Sequence, residues 1–194
     1  MKIYLIHFKV ILVFLLIGGL MGCSTREVSE QFTGSTEQRL ITHSLDDLMT
    51  ELPEIPLKDV AGKKVFMQTH FIKLGELIEY ATSRLRAEIN KRYHPEWVYS
   101  ESEADYSLDV FFTSLGTDKD SFGLSIPLPV QGQGTAPAKI PLLSFEMFHG
   151  ISEMYLYLTD TATNEVQRLS KRKVELRNDK IATPILTIPV SSVD

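Results

Sequence analysis

Apolar positions along this chain recur with two periods. Ile41, Leu45, Leu48 and Leu52 stand at helical spacing, which predicts an amphipathic helix over residues 36–52. Ser35 occupies the N-cap place, and Gln38 three positions on can reach back to it as in a capping box; Pro53 and Pro56 close the pattern. A second stripe, Leu74, Ile78, Ala81, Leu85 and Ile89, predicts a helix from about Lys73 to Lys91. Glu76, Glu79, Arg84, Arg86 and Glu88 take its remaining faces, and Pro95 ends it.

Elsewhere the period drops to two. Gly62 to Thr69 reads as a turn into a short apolar strand, and Trp97 to Tyr99 as another. From Ala104 to Ser114, Tyr106, Leu108, Val110 and Phe112 alternate with Ser107, Asp109, Phe111 and Thr113. That is a strand with one buried face and one half-wet face. The alternation returns at about Glu153 to Thr159, and the turn cluster Asp160 to Asn164 joins it as a hairpin to a strand at about Glu165–Lys173. Ile185 to Val190, flanked by Pro184 and containing Pro189, suits an edge strand. The pattern predicts an α+β fold, a mixed sheet of about four to five strands with two main helices on one face.

Gly116 to Pro141 fits neither period. It is rich in Gly and Pro yet apolar, with Leu124, Ile126, Leu128 and Val130 at alternate places. A loop longer than about 15 residues is uncommon in a compact domain and is usually functional or disordered. Two readings stand: a lid whose apolar residues are core, or a docking surface for an envelope partner or the membrane interface. Leu124, Ile126, Leu128 and Val130 are the candidate docking residues.

The N-terminus changes the picture most. Lys2 and Lys9 precede the apolar run Val10–Leu20, and Leu20-Met21-Gly22-Cys23 follows. A run of about 11 residues falls short of the roughly 20 that span a bilayer, and it suits a secretory signal. The four residues resemble a bacterial lipobox, which implies cleavage after residue 22 and acylation of Cys23. Cys23 is the only cysteine, so it has no disulfide partner within the chain, and lipidation explains it. By the same resemblance, Ser24 in place of aspartate implies transfer to the outer membrane. Three acyl chains exceed the two-signal threshold for stable anchoring. The expected organisation is a signal peptide over 1–22, a lipidated flexible tether over 23–34, and one periplasm-facing domain over 35–194 that contains the 116–141 loop.

Loss of residues 1–22 removes two lysines and moves the net charge from −5 to −7. An acidic chain does not suit nucleic acid, whose phosphates need a basic face. Candidate chemistry is sparse. His43, His70, His94 and His149 show no metal-ligand spacing, and no HExxH occurs. Gly123-Leu124-Ser125-Ile126-Pro127 lacks the second glycine of a nucleophile elbow. Asp46/Asp47 and Glu101/Glu103 read as solvated acidic faces, and Lys171-Arg172-Lys173 as charges protecting a strand edge. No catalytic, cofactor or metal residue is expected, and the chain reads as a non-enzyme.

Several short motifs line up in order: Thr36-Glu37-Gln38, Ala61 to Phe66, Glu103-Ala104-Asp105-Tyr106, Gly123 to Pro129, and Tyr155 to Asp160. From about residue 23 to 170 this order resembles an uncharacterised family of bacterial outer-envelope lipoproteins. It is more loosely similar to curli-secretion-channel lipoproteins and to lipoprotein activators of peptidoglycan synthases. The channels carry long amphipathic hairpins that build a barrel. Here the matching insert holds prolines, which cannot donate to a sheet ladder, so no pore is expected. The resemblance implies an α+β envelope lipoprotein at the periplasmic face of the outer membrane, acting as a binding or adaptor protein. The alternatives are a subunit or accessory of a secretion or cell-wall assembly complex and, from a different class, a lipid-anchored hydrolase.

Overall fold

The computed structural model describes residues 25–29, 34–72, 75–127 and 139–191. Its elements run β1 (Thr25–Ser29), α1 (Ser35–Thr50), a 3-10 turn (Leu57–Val60), β2 (Lys64–His70), α2 (Glu76–Tyr93) and β3 (Glu96–Val98). A second 3-10 turn (Glu101–Glu103), β4 (Tyr106–Pro127), β5 (Lys139–Asp160), β6 (Val166–Arg168), β7 (Arg172–Ala182) and β8 (Thr187–Pro189) follow. The fold is α+β, and its sheet is larger than the pattern predicts. Eight strands hydrogen-bond in the order β3-β2-β4-β5-β7-β8, with β1 on β4 and β6 on β5.

Two strands, β1 and β7, have no counterpart in the pattern, and two others are longer than it predicts. β4 and β5 are each 22 residues long, about 70 Å at the strand rise. Residues 116–127 and 139–141, expected in a loop, are strand. Glycine and proline at 116–127 punctuate the alternation and hide the strand from a period count. Thr113 meets Glu153, Lys119 meets Glu146 and Phe122 meets Phe145. One index rises as the other falls, so β4 and β5 run antiparallel, whereas β2 is parallel to both β3 and β4. The tether is corrected as well. Thr25–Ser29, expected to be flexible, is a strand paired to β4.

The described chain divides into two compact units where one domain is expected. One, here the core unit, holds Ser29–Asp118 and His149–Arg177. The other, the strand unit, takes β1 up to Val28 together with Lys119–Phe148 and Asn178–Ser192. The boundary falls inside β4, β5 and β7.

Both helices belong to the core unit and share one core with the sheet: Leu45, Leu48 and Met49 from α1, Leu85 and Ile89 from α2, Leu108, Val110 and Phe112 from β4, and Met154, Leu156 and Leu158 from β5. Ile78, Ala81, Leu85 and Ile89 are buried as their spacing predicts; Leu74 lies outside the described residues. α1 sits close on β5. The Ser44 and Ser152 hydroxyls, both buried, share a 2.7 Å hydrogen bond. A Cβ on Gly150 would lie 2.8 Å from the Leu40 carbonyl carbon, so only glycine permits this approach without a shift.

Two expectations about the helices fail for physical reasons. Gly34, not Ser35, is the N-cap of α1, and no side chain caps it. The Glu37 carboxylate occupies the first turn, where negative charge opposes the positive end of the helix dipole. Glu88, expected on a wet face, is buried. Its Oε1 accepts from Arg92 Nε at 2.8 Å, and Arg92 also donates to the Met49, Thr50 and Leu52 carbonyls at 3.0–3.1 Å. Arg92 thus caps the α1 C-terminus from α2, and a buried charge survives because it is paired.

Candidate functional site

The strand unit holds the sequence-predicted docking residues and is built unlike the rest. Its described residues form strands and turns only, and of those whose side chains are described Phe148 alone is buried. Phe122 and Phe145 stack at 4.9 Å and 9° across β4 and β5. Alternation then places Leu124 and Leu143, two residues on in each strand, on that same face. Phe122 is 46 %, Leu124 43 % and Leu143 38 % exposed. On β8, Ile188 lies opposite Ile181 and is exposed, as are Leu186 and Val190. The strands approach closely: a Cβ on Gly123 would lie 2.1 Å from the Leu143 carbonyl oxygen. Of the four docking candidates, Leu124 is exposed; Ile126 is placed in β4 by its backbone, and Leu128 and Val130 lie outside the described residues.

In β4, β5 and β7 the charge of this unit gathers where these strands enter it; β1 adds Arg26 and Glu27. Lys119 Nζ lies 3.2 Å from Glu146 Oε1, and the Lys119 and Lys180 ammonium groups sit 5.1 and 4.8 Å from the Phe148 ring centre. Beyond that level, residues 121–127 and 139–145 contain one charged residue, Lys139, and residues 181–191 contain none.

The core unit carries a feature that sequence reasoning missed, an aromatic ladder. His70 stacks on Phe111 at 4.3 Å, and Phe111 stacks on Tyr155 at 5.1 Å. Tyr157 meets both Phe111 and Tyr155 edge-on, and the Arg168 guanidinium lies 5.1 Å from the Tyr155 ring centre. Asp109 Oδ1 holds the His70 Nε2 at 2.9 Å. The signal for it was present: Phe111 on the half-wet face of β4, and Tyr155 and Tyr157 at alternate places in β5. His70 and Phe111 are direct cross-strand partners. Stacked on one another, the rings stabilise the sheet.

Other residues weighed for chemistry have structural partners. Arg84 pairs with Asp46 between the two helices; this hydrogen bond raises the guanidinium pKa further. Lys171 lies 2.7 Å from Glu153 and Lys173 2.9 Å from Glu175, so two members of the basic run are paired within the sheet. Lys171, with Thr113 also donating, holds the Glu153 carboxyl below its ordinary range. His149 Nδ1 lies 3.4 Å from Glu175. Among the described residues, no group of three His, Cys, Asp or Glu is placed to hold a metal ion, and no helix is long and apolar enough to cross a membrane. No protein-family model and no curated protein matches the chain.

Proposed function

We propose that this protein is a lipoprotein anchored through acylated Cys23 at the periplasmic face of the outer membrane, where it serves as a non-enzymatic binding or adaptor protein. The observation that carries the reading is the run Leu20-Met21-Gly22-Cys23 behind a basic, apolar leader, with its cysteine the only one in the chain. Cys23 stands two residues before β1, so an acylated Cys23 would lead almost directly into the sheet rather than through a long tether. Cells given a labelled fatty acid should incorporate it into the wild-type protein and not into Cys23→Ala. A wild-type protein that takes up no label is not a lipoprotein.

A further inference from the structure

We propose that the strand unit seats on the lipid bilayer that carries the Cys23 anchor, with the face bearing Phe122, Leu124 and Leu143 entering the interfacial layer. The inference rests on the lipoprotein reading and names what the exposed apolar unit meets: lipid, rather than a protein partner.

Three observations converge. Half-exposed Phe122, Leu124 and Leu143 share one sheet face, and Leu186, Ile188 and Val190, in and beside β8, are exposed in the same unit. Apolar side chains left bare together on one face mark an interaction site. Charge is then distributed as a bilayer requires. A water-facing strand edge usually carries Lys or Glu, yet 121–127 and 181–191 hold no charge and 139–145 holds only Lys139, with Arg26 and Glu27 in β1 next to the anchor. Lys119, Glu146 and Lys180 stay at the level where the strands enter the unit. Ionised groups at the membrane surface and apolar groups beyond it is the ordering that depth in a bilayer selects. Last, β1 pairs with β4 and belongs to this unit up to Val28. Cys23 is two residues from it, so three acyl chains would emerge beside the strands that carry the apolar face.

Depth follows from hydrogen bonding. Among the described residues of one copy the sheet order ends at β8, and open edges do not survive in hydrocarbon, where their N–H and C=O groups find no water. A single copy of the unit therefore lies in the interface.

The test uses the full-length lipidated protein in phosphatidylethanolamine–phosphatidylglycerol vesicles containing lipids brominated near the headgroup. Trp97, in β3 of the core unit, is the single native tryptophan and serves as the reference. Phe122→Trp and, as a second probe that leaves the ring stack intact, Leu143→Trp should each raise the quenched fraction at least twofold over wild type. Quenching equal to wild type in both variants overturns the proposal. So does emission from either new tryptophan that is shielded only as protein concentration rises, which would assign the face to a second copy. The mass of the N-terminal peptide from the same sample separates the two readings. Quenching without acyl groups keeps the lipid contact and removes the anchor, whereas acyl groups without quenching do the reverse.

Discussion

One strand holds both halves of the comparison. In β5, Leu156 is fully buried and Leu142, fourteen positions earlier and so on the same side of the strand by alternation, is 46 % exposed. Leu156 lies where α1 and α2 cover the sheet; Leu142 lies in the strand unit, which has no helix among its described residues. The same side chain in the same strand thus does two jobs. In the core unit apolar residues satisfy one another, and the fold gains the stability of their removal from water. In the strand unit they remain in reach of an outside surface. A sheet strand says only that a residue faces one side or the other; what covers that side decides whether it is core or interface.

The largest expected effect separates these two leucines. Leu156→Ala should cost about 2–5 kcal/mol of unfolding free energy, the transfer term plus the cavity left behind. Leu142→Ala should stay within about 0.5 kcal/mol, as at surface sites. Urea midpoints at constant slope read both. If Leu142→Ala costs as much as Leu156→Ala, the strand unit has a core of its own and the contrast fails.

How much of this was legible depends on which residues carried the signal. The helix stripes and the Tyr106–Phe112 alternation gave the α+β class and most of the core, because their burial repeats at the period of the element. The short motifs that carry the family resemblance are legible for another reason: they are turn and register chemistry. Asp105 Oδ2 accepts from the Lys64 backbone N–H at 2.9 Å, and the Thr161 hydroxyl donates to the Ala104 carbonyl at 2.6 Å. Asp160 Oδ1 accepts from the N–H groups of Ala162 and Thr163, and Asn164 adopts positive φ. Such residues lock where strands start and turn, so they speak to the fold and not to function. The extension of β4 and β5 was not legible, since Gly116, Gly123 and Pro141 break the alternation that a long strand needs to announce itself. Burial of Glu88 was hidden too. Its partner Arg92 is one turn away, but the carbonyls that hold Arg92 come from α1, 40 residues or more earlier.

The next effect sharpens the core side of the comparison. Arg92→Ala leaves the Glu88 carboxylate buried without its partner and uncaps three carbonyls at the end of α1. Breaking such a pair by removing one member should cost about 3 kcal/mol. Arg92→Lys should recover less than half of that, because an ammonium keeps the charge but not the planar fork that reaches four acceptors at once. Full rescue by lysine would show that charge alone holds the α1–α2 junction. Built into the Phe122→Trp background, both substitutions should leave the lipid quenching unchanged, since Arg92 does not lie in the strand unit.

The smallest expected effect is a dependence on acid, and its source is again the core unit. The Arg92 hydrogen bond, working against burial, holds the Glu88 carboxyl below its ordinary range, and Lys171 and Lys173 do the same for Glu153 and Glu175. A carboxyl whose folded pKa is depressed binds fewer protons folded than unfolded. Its contribution is therefore complete above the ordinary carboxylate range, and it is lost as pH falls through that range to the lower folded value. Stability from urea unfolding should be flat from pH 7 to about 5 and then fall toward pH 3. Glu88→Gln should lower the plateau but make the acid limb shallower, because position 88 no longer titrates; it sits mostly out of water, so its share of the limb should exceed that of Glu175, which is half exposed and screened. An acid limb of unchanged steepness in Glu88→Gln, but flattened in Glu175→Gln, would move the origin of the effect from the buried helix junction to the surface of the sheet.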